Sequence, residues 1–416
     1  MVADWYLGRS ADRSPWLGHP RFAISTLAWS VPVWLVFELA NFRMANWYYV
    51  MANPDLGIRR LGTVLAFGTV LPAIFLAYRA VSRHRPGESW RTPPMGWLTA
   101  HPRTLQCIGF GFAGLALWRP ATFFPLIWGS VTLILEPFNL ARDPRTSLIA
   151  DLAEGRPGRL VRLLLAGAAV GLTWELLNSI ALTRWIYTVP GLESLKLFEM
   201  PMLGYLGFPV FALDCFVVYH SLVHLGVAIP GWEAPDPVPS AAGRARVRPV
   251  PSGSGARLRM LLAVSAAALF SSGVMWGMDR WTVDSYHAPL VDLAEVAPGA
   301  PEPLTAAGFG SVAAVAAARS SDLVGVGITP EAAERWLGWA GLTLLRGMGA
   351  ENAAALEAAG IGSICMLAYA EPERVRDAIR ARRADPHAGS AARIRVWQVA
   401  AVRACGPERR TVESND

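Results

Sequence analysis

Long apolar stretches alternate along this chain with short breaks that carry arginine. The apolar runs occupy residues 22–42, 60–80, 104–118, 120–139, 160–182, 200–229 and 260–278. A helix rises about 1.5 Å per residue, so roughly 20 residues cross a hydrocarbon core about 30 Å thick. The third run is short and stops at Arg119-Pro120, which predicts a tight hairpin between the third and fourth spans. The expected fold class is all-α: a polytopic membrane helix bundle of about seven spans, followed by a small helical domain.

The placement of arginine orients the spans. One loop carries Arg83, Arg85, Arg91 and Arg103, a second Arg142, Arg145, Arg156, Arg159 and Arg162, and a third Arg244, Arg246, Arg248 and Arg257. Two spans separate each of these loops from the next, so all three lie on one face, and positive charge concentrates on the cytoplasmic side. The opposite loops carry fewer cations, although Arg43, Arg59, Arg60, Arg119, Arg184 and Lys196 keep them from being empty. The reading is an inner (cell) membrane protein with its N-terminus cytoplasmic and its C-terminal domain periplasmic or external. The lipid bilayer is its first partner.

Composition agrees with this picture. The chain is 53% apolar and only 17% charged, with a mean hydropathy of +0.32, whereas soluble domains run near a quarter charged. Many of the 17 tryptophans flank apolar runs, as at Trp47, Trp90, Trp118, Trp185 and Trp281, where an amphipathic ring suits the interface. The formal charge of +6 is accounted for by the arginine loops and needs no polyanionic partner. Four cysteines are too few for a disulfide scaffold and lack metal-ligand spacing; Cys107 and Cys215 lie inside apolar runs and read as inert core thiols. Residues 1–21 are mixed and polar, which predicts no cleavable signal peptide. No metal site is expected, and no cofactor is specified by any motif.

The domain boundaries follow. Residues 1–229 form a six-span core with an internal repeat, and 230–258 a Pro-, Ser- and Gly-rich linker on the cytoplasmic side. Residues 259–279 are the last span, rich in Ala and Ser, and 280–319 a connector. A helical domain occupies 320–385 and a basic tail 386–416, whose Arg393-Ile394-Arg395-Val396-Trp397 has an apolar face suited to lipid or a partner. Residues 143–155 are readable either as a short helix along the inner surface or as an ordinary loop.

The repeat supplies the candidate chemistry. Phe37-Glu38-Leu39-Ala40-Asn41 is followed by Trp47-Tyr48-Tyr49-Val50, and Trp174-Glu175-Leu176-Leu177-Asn178 by Trp185-Ile186-Tyr187-Thr188-Val189. A looser third copy, Glu136-Pro137-Phe138-Asn139, stands at the inner end of the fourth span, where capping is the favoured reading. A carboxylate near mid-membrane costs about 2.5–3.5 kcal/mol even on the lenient insertion scale, so such residues carry function or lock helices together. Residues three apart share a helix face, which lets each Asn hydrogen-bond its Glu or the same partner. Glu38, Asn41, Glu175 and Asn178 are the candidate catalytic residues, with Asp214 of the sixth span as a further acid. Trp47, Tyr49, Trp185 and Tyr187 are the candidate binding residues. His220 and His224 share a face but lack a third ligand at useful spacing, so packing is the favoured reading.

Residues 320–385 carry Gly325-Val326-Gly327-Ile328-Thr329-Pro330-Glu331 leading to Leu337 and Gly341-Leu342. They are followed by Leu345-Arg346-Gly347-Met348-Gly349-Ala350 leading to Leu356 and Gly360-Ile361. Leu367-Ala368 and Glu371-Pro372-Glu373 mark a further helix start. The segment resembles tandem helix-hairpin-helix modules, whose hairpin amides often bind nucleic-acid backbone with a basic residue just beyond the Gly-x-Gly. Here Glu331 and Glu351 stand where a cation would help, removing the electrostatic term that dominates such binding. The resemblance therefore implies protein interaction, with nucleic acid disfavoured. An external module places Cys365 and Cys405 in an oxidising compartment, where they can pair.

Two function classes remain open. In one, the core binds a lipophilic molecule of isoprenoid or lipid type, or acts on it by acid–base chemistry. In the other, the chain is a non-catalytic accessory or scaffold subunit of a respiratory or photosynthetic membrane complex, with the C-terminal module contacting partners. A transporter fits less well, because only two elements repeat.

Overall fold

The structure, a computed structural model, describes residues 18–189, 195–230, 254–286, 290, 293, 301–383, 385 and 387–405. The polar N-terminal stretch up to residue 17 and the linker at 231–253 lie outside the described residues. The chain divides into two compact units. One comprises Met1–Met44, Arg60–Leu177 and Leu203–Trp276, the other Ala45–Arg59, Asn178–Met202 and Gly277–Asp416.

Among the described residues six helices are long and apolar enough to cross a membrane: Pro20–Met44, Leu56–Ser82, Pro120–Arg142, Gly158–Ile180, Met202–His224 and Gly255–Trp281. Seven were expected. The remaining apolar run does form a helix, but at 17 residues it is only about 26 Å long, short of the roughly 30 Å core.

In the first unit α1 (Pro20–Met44) packs against a helix broken at Thr69 into α2 (Leu56–Gly68) and α3 (Val70–Ser82). Pro72 has no N–H to give Gly68, so the ladder is interrupted there. Ser30 of α1 fills the break: its Oγ donates to the Phe67 carbonyl and accepts from the Leu71 N–H at 3.0 Å. The short helix α4 (Pro102–Trp118) lies against α5 (Ser130–Arg142), and the contact needs Gly109. A Cβ there would stand 2.8–2.9 Å from Leu133, Ile134 and the Ser130 carbonyl. A similar approach joins α6 (Gly158–Ile180) to α7 (Gly207–His224). A Cβ at Gly167 would meet the Phe208 carbonyl at 2.4 Å, and one at Gly171 the Phe208 ring at 2.2 Å. These glycines are four apart, the small-xxx-small spacing by which membrane helices bring their backbones together. The last span is α8 (Ser254–Trp281).

The segment after α5, readable from the sequence as a surface helix or a loop, combines a turn with a short helix. It makes a 3-10 turn at Pro144–Thr146 and a six-residue helix at Leu148–Ala153, whose Leu148, Ile149, Ala150 and Asp151 are buried. Cys215 is buried as expected, whereas Cys107 is exposed on α4.

In the second unit β1 (Trp47–Val50) pairs antiparallel with β2 (Arg184–Tyr187). A small hairpin joins β3 (Lys196–Leu197) to β4 (Met200–Pro201). Val283 and Tyr286 extend β1 through parallel bridges to Tyr49 and Ala52. Ala45 and Met51, both at positive φ, turn the chain at either end of β1. The helices α9 (Pro330–Leu344), α10 (Ala350–Ala358), α11 (Ile364–Tyr369), α12 (Pro372–Arg380) and α13 (Ala391–Cys405) complete this unit, preceded by short helices from residue 301 onward. Tyr48, Val50 and Ile186 share one apolar core with Leu323, Trp339, Leu356, Ile379 and Trp397. The helical domain thus extends to both sides of 320–385. The segment read as a basic tail is in part the helix α13, with Arg393, Ile394, Val396 and Trp397 buried in the domain and not laid on lipid. Cys365 and Cys405 are joined by a disulfide between α11 and α13.

Candidate functional site

Glu38 sits where α1 faces its own unit, fully buried, with Trp34 one turn back donating Nε1–H to its Oε1 at 2.9 Å. Trp34 and Phe37 pack on Phe211 of α7 at ring distances of 5.4 and 5.2 Å. Trp174, the residue before Glu175, packs on Phe208 and Phe211 at 6.2 and 6.3 Å. Trp128 stacks on Phe37 at 5.3 Å, and Phe67 closes on Trp34 at 5.9 Å. Glu38 therefore stands within an aromatic cluster centred on Phe211, and Glu175, which follows Trp174 of that cluster in the chain, is likewise fully buried.

Asn178 belongs to a different task. Asn178 donates its Nδ2–H to the Trp185 carbonyl and accepts the Trp185 N–H on Oδ1, both at 2.9 Å. The amide thus clamps the start of β2 by two bonds, where its own Glu or a partner shared with that Glu is expected. Asn41 is as deeply buried. In the strand pair Trp47 stands opposite Tyr187 and Tyr49 opposite Trp185. Each Trp-x-Tyr segment thus meets the other reversed, the register that a local two-fold axis produces. Trp185 Nε1 also donates to the Tyr187 hydroxyl at 2.9 Å. The four candidate binding residues are gathered on this ribbon; Trp47 is buried, while Tyr49, Trp185 and Tyr187 are half-buried.

Asp214 is committed to architecture. Its Oδ2 accepts from the Gly129 N–H at 2.9 Å, and its Oδ1 from the N–H and hydroxyl of Thr132 at 2.8 and 2.6 Å. It thereby caps α5, whose first N–H groups lack intrahelical partners. Glu136 and Asn139 do similar work at the other end of that helix. Glu136 Oε1 accepts from Ser147 Oγ and the Ile149 N–H, both at 3.0 Å. Asn139 donates to the Val217 carbonyl and accepts from Ser221 Oγ, both at 2.9 Å. His220 lies on the Phe216 ring at 4.3 Å, and His224 meets the Thr146 hydroxyl at 3.0 Å, so both are packed residues. Among the described residues no group of three metal-ligating side chains occurs.

The second unit contains a buried polar knot that periodicity did not single out. Tyr48 donates its hydroxyl to the Gly347 carbonyl at 3.2 Å, and Trp397 Nε1 donates to the same carbonyl at 2.7 Å. The Arg393 guanidinium stands 4.6 Å over the Tyr48 ring and bonds Asp284 at 2.6 Å and Asp385 at 3.0 Å. Asn352 and Arg383 complete the ring around Asp284. Burial pushes the Tyr48 phenol far above its ordinary pKa, and the Asp284 charge adds to that. Burial would lower the Arg393 pKa, but the charges of Asp284 and Asp385 outweigh it and hold the guanidinium above its usual value. The Gly347-Met348-Gly349 turn is thereby enclosed by its own chain, with both glycines at φ +81°. A Cβ on Gly347 would strike the Tyr48 hydroxyl and one on Gly349 the Ser285 side chain, while Arg346 pairs with Glu199.

The described geometry thus gives two buried acids, one of them within aromatic surroundings, and a set of further polar groups bound into the frame. No family model, curated protein or solved structure matches the chain.

Proposed function

We propose that this multi-pass membrane protein is a non-catalytic platform that presents a rigid helical module to partner proteins of a larger membrane assembly. The observation that carries this reading is the shared core of the second unit, in which Tyr48, Val50 and Ile186 pack with the C-terminal helices. The C-terminal helices thus form one unit with the inter-span segments Ala45–Arg59 and Asn178–Met202. The polar groups support the same reading, since Asp214, Asn178, Glu136 and Asn139 hold backbone and neighbouring side chains. The resemblance to tandem helix-hairpin-helix modules fits protein docking better than nucleic acid. The second Gly-x-Gly turn, where such families bring backbone amides to a phosphate chain, faces Tyr48, Ser285 and Glu199 of its own chain.

The orientation proposed is seven crossings with the N-terminus cytoplasmic and the module outside. β1 follows α1 and β2 follows α6, and the two strands pair, so both helices end at one membrane face. Leu56–Ser82 returns the chain to the other face, and an even number of crossings must then precede α6. With Pro120–Arg142 as one of them, α4 is the other, its 17 residues making up the length by snorkelling or local thinning of the bilayer. The Cys365–Cys405 disulfide fits an oxidising compartment for the module, and the arginine-rich loops then fall inside. Alkaline phosphatase fused after residue 405 is expected to be active outside the cell membrane; a fusion that is active only in cytoplasmic reporter form overturns this orientation.

A second reading is favoured by one observation: Glu38 and Glu175 are fully buried, Glu38 within an aromatic cluster that Trp174 also joins. Two acids in an apolar, aromatic-lined interior suit a lipophilic ligand and proton transfer to it. One purification separates the readings. Extraction in mild detergent is expected to carry stoichiometric partner chains with the protein, and recovery only in whole multiples of its 45.0 kDa mass overturns the platform. A Glu38→Gln, Glu175→Gln variant that inserts normally but accumulates an unprocessed lipid or pigment establishes the second reading instead.

A further inference from the structure

Two arginine-bearing loops of the first unit meet at one end of it. The Thr92 N–H donates to the Gly155 carbonyl at 3.0 Å and the Met95 N–H to the Leu152 carbonyl at 3.1 Å, which ties residues 83–103 to the segment between α5 and α6. The approach needs Gly155 at φ +69°, since a Cβ there would stand 2.3 Å from the Thr92 carbonyl oxygen. Three candidate spans have an end here, at Ser82, Arg142 and Gly158. Loops held against the ends of spans lie at the level of the lipid headgroups. Charge on this surface is one-sided. Residues 83–103 and 142–162 carry nine arginines against four acids. The acids are already matched within the surface: Glu88 by Arg85, Asp143 by Arg145, Asp151 by Arg156 and Arg159, and Glu154 by Arg156. Among the described residues Arg91, Arg103 and Arg142 have no carboxylate partner; Arg91 holds the Glu88 and Trp90 carbonyls, and Arg142 lies over the Phe138 ring. The same loop leaves two tryptophans largely uncovered, Trp90 at 58% and Trp97 at 54% accessible.

We infer that this end of the first unit binds anionic phospholipid headgroups of the phosphatidylglycerol type, whose phosphodiester carries no compensating amine. The positive surplus selects the sign of the partner, because cations gathered at a membrane surface draw anionic lipid to it. Arginine selects the group, since its planar fork of N–H donors matches a phosphate. The tryptophans select the source. A free anion would satisfy the guanidiniums and leave both indoles in water, whereas a headgroup brings the boundary between polar and acyl regions that an indole occupies. A zwitterionic lipid would set an ammonium among the arginines and lose most of the attraction. The surface is also preformed, because the backbone bonds to Gly155 and Leu152 hold the loop before any lipid arrives. None of this depends on whether the core is a platform or an enzyme, or on which side of the membrane this end faces.

The test uses the full chain, reconstituted in vesicles of phosphatidylglycerol and phosphatidylcholine in equal parts, re-extracted in mild detergent, with the retained lipid identified by mass. Phosphatidylglycerol is expected to be retained several-fold over phosphatidylcholine. Arg91→Gln combined with Arg103→Gln is expected to lower that preference by about five-fold for each arginine removed. Arg380→Gln combined with Arg382→Gln takes the same charge from exposed positions of the second unit and is expected to leave it unchanged. The Arg103 side chain makes no hydrogen bond among the described residues, so Arg103→Gln alone carries the test if the loop around Arg91 loosens. Inorganic phosphate is the free-anion arm: phosphatidylglycerol, and not phosphate at the same concentration, is expected to raise the melting midpoint of the delipidated protein in detergent. No preference for phosphatidylglycerol, an equal loss in the second-unit variant, or a shift with phosphate as large as that with the lipid overturns the proposal.

Discussion

Asp214 shows how a single buried acid can look like chemistry and serve as a joint. Three hydrogen bonds hold its carboxylate, and they satisfy the start of α5. Asp214→Ala leaves those donors buried without an acceptor and is expected to lower stability by about 3 kcal/mol, read as a fall in the midpoint of a detergent-solubilised thermal melt. Gly171 is a joint of another kind. Gly171→Ala places a methyl 2.2 Å from the Phe208 ring and is expected to destabilise, whereas Gly111→Ala, with nothing within 4 Å, is expected to be neutral or slightly stabilising in the same melt. Asp143 carries the pH dependence. Burial pushes its carboxyl up, but the hydrogen bonds and charge of Arg145 outweigh that and hold it below the ordinary value. The sign follows: a depressed acid stabilises the fold above its unfolded pKa near 3.9 and loses that contribution as pH falls through the folded value. Asp143→Asn is therefore expected to lower the stability plateau at pH 5–8 and to flatten the acid limb below about pH 4, where parent and variant converge.

At the scale of elements, the repeated Glu-x-x-Asn motif divides into two roles. The acids are fully buried, while Asn178 fixes the strand that follows by gripping both backbone groups of Trp185. Asn178→Ala is expected to loosen β2, and limited trypsin digestion should then cut after Arg184 faster than in the parent chain. Asn178→Asp retains only the acceptor half and should fall between the two. The cleavage rate at Arg184 checks both, and equal rates in all three proteins would show that the clamp does nothing for the ribbon. The same logic explains why the isolated two-stranded pair persists, since such ribbons are marginal without external packing, and here Tyr48 and Ile186 are anchored in a helical core.

For the molecule as a whole, the disulfide closes a loop of 40 residues between α11 and α13. Loop-closure entropy for that length is about 4 kcal/mol, so Cys365→Ser is expected to destabilise the second unit measurably, by up to that amount. Because α13 carries Arg393 and Trp397, loosening it also weakens the grip on Tyr48 and Asp284. Faster amide exchange confined to the second unit, with the helices of the first unit unchanged, is the expected signature. A uniform change across both units would show that the chain does not divide energetically as it divides structurally.

The membrane character, the approximate spans, the buried acids, the helical C-terminal module and its pair of cysteines were all legible in the sequence. Each depends on local composition or period: hydropathy over about 20 residues, and residue spacing on one helix face. What Asn178, Asp214 and Glu136 bond to was not legible, because their partners stand on other elements and a side chain's hydrogen bond is chosen by whatever backbone arrives beside it. The same is true of the Gly167/Gly171 approach, although its four-residue spacing was a signal in plain view, and of α13, whose pattern reads as a basic tail for lipid or a partner until Asp284 and Asp385 are placed against Arg393. Local pattern decides which segments leave water. Tertiary structure alone decides which polar groups meet once they are out of it, and so which buried acids, like Asp214, become joints.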